Sequence, residues 1–163
     1  MNLRASITEP VPPQRINVYL HPGQMVAALE SSAVTTILGS CVGVCLYDLR
    51  TGIGGMNHFL LPFDSGEGQA AGRFGDRAVP ELIERLLVLG ADPKRLQAKL
   101  FGGACVLEAF RDRENHLGSQ NVRVARKILA AASIPIVSAD VEGQRGRKLI
   151  FYTDDGSAWV KPL

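Results

Sequence analysis

Every apolar run before residue 76 is short and β-like, and helical periodicity begins only after it. Ala33 to Leu38, Val42 to Tyr47 and Ile53 to Leu61 are rich in residues that suit a pleated surface, and Gly39-Ser40 and Thr51-Gly52 separate them. Arg15 to Leu20 and Met25 to Leu29 add two shorter runs upstream. The first helical face is Val79, Leu82, Ile83, Leu86 and Leu87, with Asp76 expected as N-cap, Pro80 in the first turn and Gly90 at the end. Lys99 to Phe101 reads as a strand closed by Gly102-Gly103. Ser119 is expected to cap a second helix carrying Val122, Ala125, Ile128, Leu129 and Ala132. Ile134 to Val141 is a further strand, and Lys148 to Thr153 and Ser157 to Lys161 form a hairpin across Asp154-Asp155-Gly156. About eight strands and two main helices predict an α+β fold: a β-sandwich of mixed strands with helices packed on one side.

A chain of 163 residues with 46% hydrophobic and 21% charged residues is read as one domain, 1–163, with a core of its own. A net charge of +2 argues against nucleic acid as a partner, and no apolar run approaches the roughly 18 residues of a membrane span. Residues 1–14 read as a loose leader; they carry Pro10, Pro12 and Pro13 and lack the apolar segment of a signal peptide. Three cysteines form no disulfide framework, so the expected setting is the reducing cytoplasm. Pro62 to Gly75 is a polar, glycine-rich loop expected to be mobile and close to the chemistry.

The chemistry is expected at Cys41, which follows Gly39-Ser40 at the start of a β-type run. His58 lies seventeen residues later, in the next run, and Thr35 six residues earlier. Nucleophile, base and orienting group are the minimum for covalent acyl transfer. Backbone N–H groups at Gly39 and Ser40 are expected to hold an oxyanion. Cys45 and Cys105 lie in apolar runs and read as core residues. A zinc on Cys41, Cys45 and His58 is rejected, because two strand residues four apart are separated by about 13 Å. His21 sits in a turn and His116 beside a charged segment, which leaves His58 as the candidate base.

At these residues the chain resembles the CheD family, the chemoreceptor glutamine deamidases of bacterial and archaeal chemotaxis. The resemblance rests on Thr35 with Leu38-Gly39-Ser40-Cys41-Val42, Ile53-Gly54-Gly55-Met56 with His58, and Leu61-Pro62. It continues through Arg73-Phe74-Gly75-Asp76, Ala98-Lys99-Leu100-Phe101-Gly102-Gly103-Ala104, Gly118 with Asn121, and Gly146-Arg147-Lys148. Glu142 departs from it, standing where the family often has the first of two glycines. The resemblance implies Cys41 as nucleophile, His58 as acid and base, and Thr35 as the group orienting the histidine. It implies a fold similar to toxin-type glutamine deamidase domains, a reaction without cofactor or metal, and receptor helices as substrate. A CheC-type phosphatase is implied as a possible partner, and a mainly regulatory binding role is the alternative reading.

Overall fold

The computed structural model describes residues 12–163. Most of the expected leader, residues 1–11, lies outside the described residues; Pro12, Pro13 and Gln14 are exposed and irregular. The described strands are β1 (Ile16–Tyr19), β2 (Met25–Ala28), β3 (Ser32–Leu38), β4 (Val42–Asp48), β5 (Ile53–Asn57), β6 (Gln97–Gly102), β7 (Ile136–Val141), β8 (Arg147–Tyr152) and β9 (Ala158–Pro162). The helices are α1 (Gly75–Leu89) and α2 (Leu117–Ala131). This is the α+β sandwich expected from the strand and helix pattern.

The strands form two sheets, ordered β1-β3-β8-β9 and β2-β5-β4-β6-β7. Pairs β1–β3 and β6–β7 are parallel and the others antiparallel. All seven residues of β4 are buried, because the strand is covered on both faces. Val42, Val44 and Leu46 pack toward the helices, against Leu82, Leu86, Val122 and Leu129. Cys45 and Tyr47 face the other sheet and meet Val34, Leu38, Leu149 and Phe151. The layers are therefore helices, five strands, four strands. The period of two along β4 decides which side chains enter which core.

Three local expectations change. Helix α1 starts at Gly75, with Phe74 as N-cap, and Pro80 lies inside the helix rather than in its first turn. Pro80 lies on the exposed side of α1, and the Asp76 side chain is occupied in accepting the Asp64 N–H at 3.0 Å. Helix α2 is capped by His116, whose Nδ1 accepts the Ser119 N–H at 3.1 Å. The long loop has fixed ends: Gly75 N–H donates to Leu61 O at 2.8 Å and Asp76 N–H to Pro62 O at 3.0 Å, with a short 3-10 turn at Ala71–Arg73.

Candidate active site

The chain crosses from one sheet to the other through Gly39, Ser40 and Cys41, between the end of β3 and the start of β4. All three carbonyls of this turn are held. Ala104 N–H donates to Gly39 O at 2.9 Å and Gly103 N–H to Cys41 O at 2.8 Å. The Asn121 carboxamide donates to Ser40 O at 3.0 Å. With the carbonyls turned to these donors, the N–H groups of Ser40 and Cys41 have no backbone acceptor among the described residues, and that of Cys41 points to its own sulfur. Gly102 has φ 102° and Gly103 φ 71°, and a Cβ on Gly102 would collide with Cys41 O. Only glycine lets β6 end in this conformation so close to the turn.

His58 follows the end of β5. The β4–β5 ladder opens beside it, because the Asn57 side chain, not its backbone, accepts the Val44 N–H at 3.0 Å. The ladder closes again at Val42 and Phe59, which exchange both backbone bonds at 3.1 and 3.0 Å. The expected run from Ile53 to Leu61 is therefore a five-residue strand and two separate bridges, at Phe59 and Leu61, with His58 in the gap after the strand. From the Val42–Phe59 pair, Cys41 and His58 are diagonal neighbours on the face toward the four-stranded sheet. Such neighbours lie about 7–8 Å apart along the backbone, within reach of an imidazole.

Thr35 does not reach the histidine. In β3 the inner face carries Val34, Thr36 and Leu38, all fully buried, while Thr35 is half-buried on the opposite face. The hydroxyl at His58 Nδ1 is that of Thr36, at 2.8 Å. Thr36 also donates to Leu20 O at 2.7 Å. A carbonyl can only accept, so the single hydroxyl proton goes to Leu20. Thr36 must then accept from His58, which places the imidazole proton on Nδ1 and leaves Nε2 as the basic nitrogen. Nε2 is buried and has no partner among the described residues.

Burial pushes His58 down to about 4, and the nearby charge of His21 adds to the shift. Burial also pushes the Cys41 thiol up, opposed by a hydrogen bond from its own backbone N–H. Near neutral pH the pair is a neutral thiol and a neutral imidazole. Cys45 is fully buried and its thiol is driven far up by desolvation. Cys105 lies beyond β6 rather than within a strand, with its sulfur 3.5 Å from Leu107 O. Among the described residues no three His, Cys, Asp or Glu side chains converge as metal ligands.

Thr36, Asn57 and Asn121 are the site residues that spacing alone missed. Period two along β3 groups Thr36 with Val34 and Leu38, a usable signal blurred by the equally apolar Ile37 on the other face. Asn121 stood among the residues of the resemblance without a role. Glu142, remote in sequence, is near the turn: its N–H donates to Gly102 O at 2.8 Å. It adopts φ 65°, the left-handed conformation that favours glycine.

The family described as "CheD chemotactic sensory transduction" matches residues 60–162. A protein of Anaeromyxobacter dehalogenans, named "Probable chemoreceptor glutamine deamidase CheD 1", is 53% identical over 149 residues, 91% of this chain and 86% of its own. One from Sulfurimonas denitrificans, named "Probable chemoreceptor glutamine deamidase CheD", is 38% identical over 143 residues, 88% and 92% of the two chains. Among solved structures, the hypothetical protein YfiH of Bacillus licheniformis aligns with a TM-score of 0.38 at 15% identity, over 69% of this chain and 46% of that one, a likeness too distant to define the fold. With the family match over residues 60–162 and relatives this similar across most of both sequences, the chain belongs to the CheD family.

Proposed function

We propose that this protein deamidates glutamine side chains on the cytoplasmic helices of chemoreceptors, with Cys41 as nucleophile and His58 as general acid and base. The observation that carries the reading is the His58 tautomer: Thr36 and Leu20 together leave Nε2 as a base with no partner among the described residues, on the same sheet face as Cys41. His58 Nε2 takes the thiol proton as sulfur attacks the carboxamide carbon. Backbone N–H groups of the Gly39–Cys41 turn stabilise the oxyanion. The imidazolium then returns the proton to nitrogen, and the C–N bond breaks to release ammonia and leave a thioester. Water attacks the thioester while neutral His58 accepts its proton, and the proton goes to the departing sulfur. The sum is carboxamide plus water giving carboxylic acid plus ammonia, and no cofactor enters. The relatives' names supply the substrate class. Free cysteines suit a reducing cytoplasm.

Purified receptor cytoplasmic fragments incubated with the protein should gain glutamine-to-glutamate mass shifts and release ammonia, and Cys41→Ala should abolish both. A protein acting mainly by binding a CheC-type phosphatase would control receptors equally well with Cys41→Ala. That outcome would replace the catalytic reading.

A further inference from the structure

We infer that Asn121 is a positioning residue that holds the nucleophile turn and the segment carrying the base in one fixed geometry. The inference rests on the catalytic reading of Cys41 and His58 and adds a residue to it. Asn121 sits on α2 and is fully buried. One N–H of its carboxamide donates to Ser40 O at 3.0 Å and the other to Leu60 O at 2.9 Å. Ser40 immediately precedes Cys41, and Leu60 follows His58 by two residues. One planar amide thus ties the two catalytic segments together, outside the β4–β5 ladder, which opens beside His58. Because both partners are carbonyls, the amide can bind only through its nitrogen, so its orientation is fixed. Its Oδ1 is left buried without a partner among the described residues, so two bonds are kept at the expense of a third.

Helix α2 is seated to make this reach possible. A Cβ on Gly118 would collide with Gly103 O and Ala104 O, and one on Gly103 would collide with Val122 and with Gly118 O. Backbone therefore meets backbone at Gly103 and Gly118, and Asn121 follows one helical turn later. The same Gly103–Ala104 segment holds Cys41 O and Gly39 O. Such a staple acts on the distance between sulfur and imidazole. A displacement of about 1 Å between reacting groups can cost on the order of 100-fold in rate.

The test is the steady-state kinetics of Asn121→Ala and Ser119→Ala, well below each variant's melting temperature. Ser119 lies on the same helix, and among the described residues its hydroxyl bonds to His116 O and Glu114 O, at 2.8 and 3.3 Å, and not to either catalytic segment. Asn121→Ala is expected to lower kcat about 30- to 100-fold with KM within about twofold. Ser119→Ala is expected to lower the melting temperature and leave kcat per folded molecule unchanged. If Asn121→Ala does not fold, Asn121→Asp keeps the shape, loses both donors and should show the same loss of kcat. Wild-type kcat in the folded fraction of either Asn121 variant overturns the inference. Where Cys41→Ala is inactive and Asn121→Ala is not, the inference alone fails. Where Cys41→Ala retains activity, the catalytic reading fails first.

Discussion

The Thr36 hydroxyl lies 2.8 Å from His58 Nδ1 and donates its hydrogen bond to Leu20 O, so a residue of the four-stranded sheet sets the tautomer of an imidazole that follows a strand of the five-stranded one. Thr36→Ala should lower turnover about 10- to 100-fold, the equivalent of a lost buried hydrogen bond. Thr36→Ser should retain much of it, and Thr35→Ala should remain close to wild type. Nitrogen NMR of the imidazole reads the tautomer directly. A proton on Nε2 in the wild-type protein, or a large loss with Thr35→Ala and none with Thr36→Ala, would contradict the assignment.

The three thiols differ in access. Cys41 is partly exposed, Cys105 nearly buried and Cys45 wholly buried between the sheets. Iodoacetamide should label Cys41 first in the folded protein and Cys45 only after unfolding. Cys45→Ala should cost about 1–2 kcal/mol of stability, as a small core truncation does, with turnover per folded molecule unchanged. Early labelling of Cys45, or loss of activity in its folded variant, would place the nucleophile wrongly.

Acid should act on this protein through His58. Its folded value of about 4 is below the ordinary 6.5, so between these pH values the unfolded chain binds a proton that the folded one does not. The stability from neutral His58 is complete above pH 6.5 and is lost as pH falls through about 4. Urea unfolding at several pH values should show wild type losing more stability over this window than His58→Gln. The acidic limb of kcat/KM should likewise lie near 4. An acidic limb at the ordinary histidine value would mean that the imidazole is solvated.

Glu142 holds φ 65° in the loop that bonds to Gly102. A left-handed conformation costs a residue with a Cβ about 1 kcal/mol relative to glycine. Glu142→Gly should therefore raise stability by no more than about 0.6 kcal/mol, net of the added freedom of the unfolded chain, with turnover unchanged. A lower melting temperature for Glu142→Gly would show that its side chain does more than tolerate the strain.

Local order was written in the sequence. Residues in β3, β4 and β8 show their strand character through valine, isoleucine and threonine, and α1 through the spacing of Val79, Leu82 and Leu86, because backbone preference and burial of one face act over a few neighbours. Cys41 and His58 stood out for the same reason: each is an unusual side chain in a short, readable context. Helix starts were harder. Ser119 has the chemistry of a cap, yet α2 begins two residues earlier and His116 caps it, accepting the Ser119 N–H.

What the sequence by itself determined was the set of elements and the two residues with reactive side chains. Tertiary structure decided which neighbours those residues have. Thr35 and Thr36 are chemically identical, and only the pairing of β3 with β1 and β8, and its packing on the second sheet, turns one toward His58. Asn121 is eighty-one residues from Ser40 and sixty-one from Leu60, and Glu142 is farther still from Cys41. Contacts of that kind arise when layers close on each other and buried polar groups pair with whatever donors and acceptors the closure brings near. Those partners are found in space rather than along the chain.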